Sequence, residues 1–172
     1  MVALVRIGVL ALQGDFLEHA QMLRRLSVDT VEVRLPSDLQ EVAGLIIPGG
    51  ESTAIRRLLD LYSIAEILNR RAMEGMPVWG TCAGMIIMAR QLVEARPVPL
   101  GLLNIKVARN AFGRQVDSFE TDVEISILGK ALFHAVFIRA PVVNDVGEGV
   151  EVLSRLPDGS IVAVRQGHLL AT

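Results

Sequence analysis

The only cysteine of the chain, Cys82, stands in Gly80-Thr81-Cys82-Ala83-Gly84, between a short apolar run after Pro77 and an apolar stretch from Ala83 to Leu92. The first run reads as a buried strand and the second as a helix. Small residues two positions either side of a nucleophile are what a sharp strand-to-helix turn requires, because they leave room for strained backbone and close packing. On such a turn the sulfur projects at the carboxyl end of the sheet. The N-terminus of the following helix points at it and favours thiolate over thiol. A buried structural thiol is the plain alternative, since free cysteine is among the most buried residue types; the flanking glycines favour the nucleophile. A second turn, Pro48-Gly49-Gly50-Glu51-Ser52, also follows an apolar strand. If the two turns are neighbours, the backbone N–H groups of Gly50 and Ala83 converge beside the sulfur. Such a pair stabilises the oxyanion of an acyl-transfer intermediate.

The elements that must position these turns can be read in order. Arg6–Leu12 reads as a first, central strand ending at Gly14, and Asp15 with Glu18 has the spacing of a capping box. Phe16, Ala20, Leu23 and Leu26 then recur at helical spacing. Thr30–Arg34 alternates and is β-branched, so it reads as a second strand. Pro36-Ser37-Asp38 breaks the chain. Gly44–Pro48 is a short buried strand, followed by a helix with Ile55, Leu58, Leu59 and Tyr62 on one face. Ile64–Glu74 reads as another helix, closed by Gly75. The alternation predicts a mainly parallel sheet with helices on both faces, a three-layer αβα sandwich. Beyond Pro97–Gly101 the character changes. Asn104–Arg109, Thr121–Ile125, Ala135–Arg139, Val150–Leu156 and Ser160–Arg165 read as strands, with Pro157-Asp158-Gly159 a hairpin turn between the last two. They predict an antiparallel extension of the same sheet. Two parallel strands ending in glycine turns at one sheet edge is where open α/β sheets bind ligands.

A length of 172 residues fits a single domain, residues 1–172. Hydrophobic content of 51% suits strands buried on both faces. The net charge of −2, with lysines and arginines scattered, suggests neither a nucleic-acid partner nor a membrane surface. Arg6 interrupts the apolar start, and Gln13-Gly14-Asp15 follows where a signal peptide would be cleaved, so no leader is expected. One cysteine excludes an internal disulfide framework and fits a reducing compartment. The chain therefore reads as cytoplasmic. No metal or cofactor is expected.

Gly80–Gly84 after an apolar strand, with Pro48–Thr53 upstream, resembles the triad (class I) glutamine amidotransferases. Four longer stretches narrow the likeness to the glutaminase subunits of pyridoxal 5′-phosphate synthase: Gly8–Asp15, Leu45–Thr53, Arg109–Glu120 and Phe137–Pro141. The resemblance implies hydrolysis of L-glutamine by a Cys82 thiolate, through a glutamyl thioester that water cleaves after ammonia has left. It implies an oxyanion hole at Gly50 and Ala83, and a glutamine site lined by Gly50, Glu51, Ser52, Arg109, Ile138 and Arg139. An arginine suits the substrate's α-carboxylate; taken without the motif, Arg109 and Arg139 read as structural ion pairs. The implied partner is the synthase subunit, in a large hetero-oligomer, with the first helix part of the docking surface.

A cysteine amidase also needs a histidine to move the proton and a carboxylate to orient it. In the family these come from a His-Pro-Glu segment just after the strand that here reads Leu169–Thr172. No His-x-Glu follows Cys82 in this chain. His19 lies in the first helix and reads as a surface or interface residue, and His134 as solvated. His168 precedes the last strand and should sit at its opposite end. The expectation is that the natural chain continues past Thr172, and that the 172-residue form hydrolyses glutamine poorly. Two other functions compete. An α/β hydrolase with a cysteine nucleophile needs an acid and then a histidine downstream. A non-catalytic module would bind the synthase without releasing ammonia.

Overall fold

The computed structural model describes residues 5–109 and 118–172. Its elements are β1 (Arg6–Leu10), α1 (Phe16–Arg25), β2 (Asp29–Val33), a 3₁₀ turn (Pro36–Glu41), β3 (Gly44–Ile47), α2 (Ser52–Leu61), α3 (Ile64–Met73), β4 (Val78–Gly80) and α4 (Ala83–Met88). The second half adds β5 (Ala89–Leu92), β6 (Leu103–Ala108), β7 (Phe119–Glu124), β8 (Leu132–Phe137), β9 (Val142–Val146), β10 (Glu151–Arg155), β11 (Ile161–Gln166) and β12 (Leu169–Ala171). Nine strands of the main sheet run in the order β2-β1-β3-β4-β12-β11-β9-β6-β5, and β10 pairs with β11 beside that path.

The five strands from β2 to β12 are parallel. Period-2 alternation splits their side chains between two faces. Val9 and Ile46 meet Ala20, Phe16 and Leu23 of α1 on one face. Leu10, Leu45, Ile47 and Val78 meet Ile55, Leu59, Ile64, Leu68 and the buried residues of α4 on the other. The sandwich therefore has α1 on one side and α2, α3 and α4 on the other. Fully burying a side chain of this size contributes roughly 1.5–3 kcal/mol, so these two clusters fix which way each strand end points.

Three expectations need correction. The helix after Cys82 stops at Met88, and Ala89–Leu92 turns into β5, which pairs in parallel with β6 from Ala89↔Leu103. A short apolar run is compatible with a buried helix or a buried strand, and here the exposed edge of β6 decides. The extension is thus mixed rather than antiparallel throughout. β9 is an unforeseen strand, antiparallel to both β6 and β11. β7 and β8 do not join the main sheet; they form a separate hairpin whose inner residues Phe119, Val123, Ala135 and Phe137 pack with Leu156 and Val162. Of the Arg109–Glu120 stretch singled out above, residues 110–117 lie outside the described residues.

Candidate active site

Three turns meet at the carboxyl edge of the parallel strands. Gln13-Gly14-Asp15 follows β1, Pro48-Gly49-Gly50 follows β3, and Thr81-Cys82 follows β4. Backbone and side-chain bonds tie them together. Asp15 N–H donates to the Gly49 carbonyl at 3.0 Å, and Thr81 N–H donates to the Ile47 carbonyl at 3.0 Å. Glu51 N–H donates to Gln13 Oε1 at 2.8 Å. Gly14 has φ +97°, and a Cβ there would stand 1.9 Å from the Gly49 oxygen, so only glycine lets the first two turns approach this closely. The Cβ position of Gly49 is 3.6 Å from Cys82 Cβ. The two glycine turns are therefore neighbours, which meets the condition on which the sequence reading rested.

Cys82 itself has φ 50° and ψ −105°. That conformation is sparsely populated for a residue with a Cβ and costs on the order of 1–3 kcal/mol. The surroundings hold it there. A Cβ on Gly84 would come within 2.2 Å of the Ile47 oxygen, so α4 starts in direct backbone contact with β3. On the β12 side, Thr172 accepts a hydrogen bond from Cys82 N–H at 2.8 Å and donates its own N–H to the Gly80 carbonyl at 3.0 Å. The thiol is half-buried. Burial pushes its pKa up, the Ala83 N–H pulls it down, Asp15 pushes it up and Arg139 pulls it down, with a net rise above the ordinary thiol value. The helix N-terminus was expected to favour the thiolate; desolvation outweighs it, because α4 is a short helix in a closely packed site. The resting sulfur is a thiol that needs a base.

Glu51 caps α2 by accepting from Thr53 N–H at 3.0 Å and Ala54 N–H at 2.6 Å. Arg109, at the end of β6, reaches Glu51 Oε1 at 3.5 Å and donates to the Arg96 carbonyl at 2.8 Å. The fold thus joins Glu51 and Arg109 across 58 residues of chain. Ser52 is buried, and its hydroxyl has no hydrogen-bond partner among the described residues. Ile138 and Arg139 follow β8 with their side chains exposed, and Arg139 takes a positive φ of 45°. Gln13 and Asp15 were not singled out by chemistry. Their signal was position alone, at the end of a parallel strand beside the other two turns. The capping box expected of Asp15 does not form: its Oδ2 lies 3.4 Å from the Cβ position of Gly49 instead.

None of the three histidines hydrogen-bonds the sulfur. His168 sits at the start of β12, one strand length from the elbow, with Nε2 2.7 Å from the Ala72 carbonyl oxygen. His134 is exposed on the β7–β8 hairpin, 3.0 Å from both Asp122 and Glu120. His19 is half-buried and lies 3.2 Å from Thr81 Oγ1. Among the described residues no group of three or more His, Cys, Asp or Glu could hold a metal, and no helix is long and apolar enough to cross a membrane.

A cysteine on a strand-to-helix elbow, faced by a glycine turn at the edge of a mixed sheet, is an arrangement suited to thiol-dependent acyl transfer, and the αβα fold that carries it is that of the glutamine amidotransferases. The family model of the SNO glutamine amidotransferase family matches residues 9–172, and the chain belongs to that family. It is 59% identical over 169 residues to the pyridoxal 5′-phosphate synthase subunit PdxT of Herpetosiphon aurantiacus, covering 96% of this chain and 89% of the relative. A subunit of the same name from Dehalococcoides mccartyi is 57% identical over 169 residues, with 97% and 87% covered. A solved structure described as a glutamine amidotransferase superposes with a TM-score of 0.90 at 50% identity, covering 96% of this chain and 87% of that one. A glutamine amidotransferase from Thermotoga maritima (TM-score 0.65, 12% identity, 98% and 74% covered) shares the fold.

Proposed function

We propose that this chain is the glutaminase subunit of a pyridoxal 5′-phosphate synthase, a cytoplasmic protein whose single amidotransferase domain supplies ammonia to a synthase subunit in a large hetero-oligomer. The observation that carries the reading is the Cys82 elbow set against the Gly49–Gly50 turn. Cys82 sulfur, once deprotonated, attacks the side-chain amide carbon of L-glutamine. The amide oxygen takes the negative charge, and the N–H groups of Gly50 and Ala83 stabilise it. The proton taken from the thiol passes to the amide nitrogen, the C–N bond breaks as the oxyanion collapses, and ammonia leaves behind a γ-glutamyl thioester. Water cleaves that ester to glutamate and restores the thiol. Arg109 and Arg139 bind the substrate carboxylate, and Glu51, Ser52 and Ile138 complete the pocket. This reading also needs a histidine to carry the proton and a carboxylate to orient it.

A diazoketone or chloroketone analogue of glutamine tests this directly. One adduct is expected on Cys82, slowed by L-glutamine and absent in Cys82→Ala. Labelling indifferent to glutamine, or turnover of simple esters instead, sinks the glutaminase in favour of a cysteine hydrolase. One observation favours a second reading, that the chain binds the synthase without catalysis: none of its three histidines hydrogen-bonds the sulfur. Mixing with the synthase subunit separates the two. Complex formation with ammonia release supports the enzyme, and complex formation without it supports the binding module.

A further inference from the structure

The inward face of α1 is apolar except at one place. Phe16, Ala20 and Leu23 pack on Val9 and Ile46, while Glu18, Gln21, Arg24 and Arg25 are exposed. His19 is the polar residue on the packed side, half-buried, with no role in the chemistry proposed above. Burying an imidazole costs free energy unless a partner repays it, and the partner here is the residue next to the nucleophile. His19 Nε2 lies 3.2 Å from Thr81 Oγ1.

We propose that His19 is a positioning residue, whose imidazole bonds the Thr81 hydroxyl and thereby locks the strained Cys82 elbow to helix α1. Both backbone polar groups of Thr81 are already committed, its N–H to the Ile47 carbonyl and its carbonyl to Gly84 N–H. The hydroxyl is its remaining handle, and His19 holds it. The same ring stands edge-on to Trp79, with centroids 5.8 Å apart and planes at 77°. Trp79 donates its indole N–H to Thr172 Oγ1 at 3.0 Å. The Thr172 carbonyl accepts Cys82 N–H at 2.8 Å. Residues 79–82 are thus clasped from two sides, by α1 through His19 and by β12 through Thr172. A backbone in a sparsely allowed conformation persists only where its surroundings over-determine it, and His19 is the side-chain member of that clasp on α1. Burial lowers its pKa against the upward pull of Asp15 and Glu18. A neutral ring has one donor and one acceptor nitrogen and can meet a hydroxyl in either sense. His19 Nε2 bonds Thr81 Oγ1 and not the Cys82 sulfur, so its part is to position the elbow.

Because Cys82 is the sole cysteine, its reactivity can be read without interference. The proposal uses the glutaminase reading in one arm of the test only. The full chain would be compared as wild type, His19→Ala, His19→Gln, Thr81→Val and the His19→Ala/Thr81→Val double variant, each checked for unchanged thermal unfolding cooperativity. Thr81→Val keeps the side-chain shape and removes only the hydroxyl. In the first arm, the iodoacetamide rate against pH reports the thiol alone. Its midpoint should fall toward the ordinary value of 9.0 in His19→Ala and Thr81→Val, because a loosened elbow admits water. The double variant should fall no further than either single one, and His19→Gln should stay with the wild type. Unchanged midpoints in both single variants, or shifts that add in the double, would overturn the proposal. In the second arm, labelling by the glutamine analogue should slow on the order of tenfold in the same two variants, within what misplacing a reacting group costs. Failure of the analogue to label wild type would count against the glutaminase reading alone, and the iodoacetamide midpoints would still decide the role of His19.

Discussion

Cys82 is held in a conformation its own side chain disfavours and in surroundings that disfavour its charge. The positive φ of 50° and the raised thiol pKa have different causes, one steric and one from burial. Substitution separates them. Alanine keeps the Cβ and therefore the strain, whereas glycine removes it at the expense of about 0.5–1 kcal/mol of extra unfolded-state entropy. The strain of roughly 1–3 kcal/mol is the larger quantity, so Cys82→Gly should be more stable than Cys82→Ala by about 1 kcal/mol in urea unfolding, the reverse of the usual order. Equal stability, or a more stable alanine variant, would mean the elbow is unstrained. Glu51 carries a different kind of load. Desolvation pushes its carboxyl up, but the N–H groups of Thr53 and Ala54, with Arg109, pull it further down, so it titrates below its ordinary 4.5. A depressed folded pKa contributes stability that is full above the unfolded value and is lost as pH falls through the folded one. Glu51→Ala should cost about 1 kcal/mol at neutral pH, an ordinary capping loss kept modest by solvent exposure. The gap between wild type and variant should close in acid, and a gap that persists there would assign the loss to packing.

At the scale of elements, the β7–β8 hairpin depends on its own face. Thr121↔Ala135 and Asp122↔His134 are cross-strand pairs, and His134 bridges Asp122 and its diagonal neighbour Glu120. Hydrogen bonds to Asp122 and then Glu120 hold the imidazole pKa above its ordinary 6.5. The sign is opposite to that of Glu51. A raised folded pKa gives stability that is full below the unfolded value and is lost as pH rises through the folded one. The His134 resonances should therefore titrate with a midpoint above 6.5, and exchange of the hairpin amides should quicken as pH passes it, beyond the intrinsic base-catalysed rise. A midpoint at or below 6.5 would show that the carboxylates do not bind the ring. The elbow element behaves differently, since its parts are fixed by backbone contact. Gly84 against Ile47 and Gly14 against Gly49 leave no space for a side chain.

At the scale of the whole molecule, the parallel strands are covered on both faces and the hairpin on one. Leu10, Ile47 and Val78 are buried between α2, α3, α4 and the sheet, whereas Leu132, Val136 and Ile138 are exposed. Protection from hydrogen exchange follows buried contact and paired backbone. The slowest amides should lie in β1, β3, β4 and β12, and the fastest strand amides in β7 and β8. Equal protection across both sheets would mean that the hairpin opens only with the whole fold. Such an ordering would leave the Gln13–Asp15, Pro48–Gly50 and Thr81–Cys82 turns anchored on the most stable strands.

The residue types and spacings of this chain determined the Cys82 elbow, the second glycine turn and the αβα frame. Each rests on a local rule: room for a kinked backbone around Cys82, a tight turn at Gly49-Gly50, and period-2 or helical recurrence in the first half. The second half was less legible, because short alternating strands such as Val142–Val146 look like loops until a neighbour pairs with them. The end of α4 was hidden for the same reason, since Ala89–Leu92 becomes a strand only when β6 lies beside it. Contacts between distant residues belonged to the tertiary structure alone. Arg109 meeting Glu51, Thr172 bracketing Cys82 and His19 holding Thr81 join positions 58, 90 and 62 residues apart. So did the protonation of the thiol, which helix polarity pushes one way and burial the other, and burial exists only once the chain has closed around it.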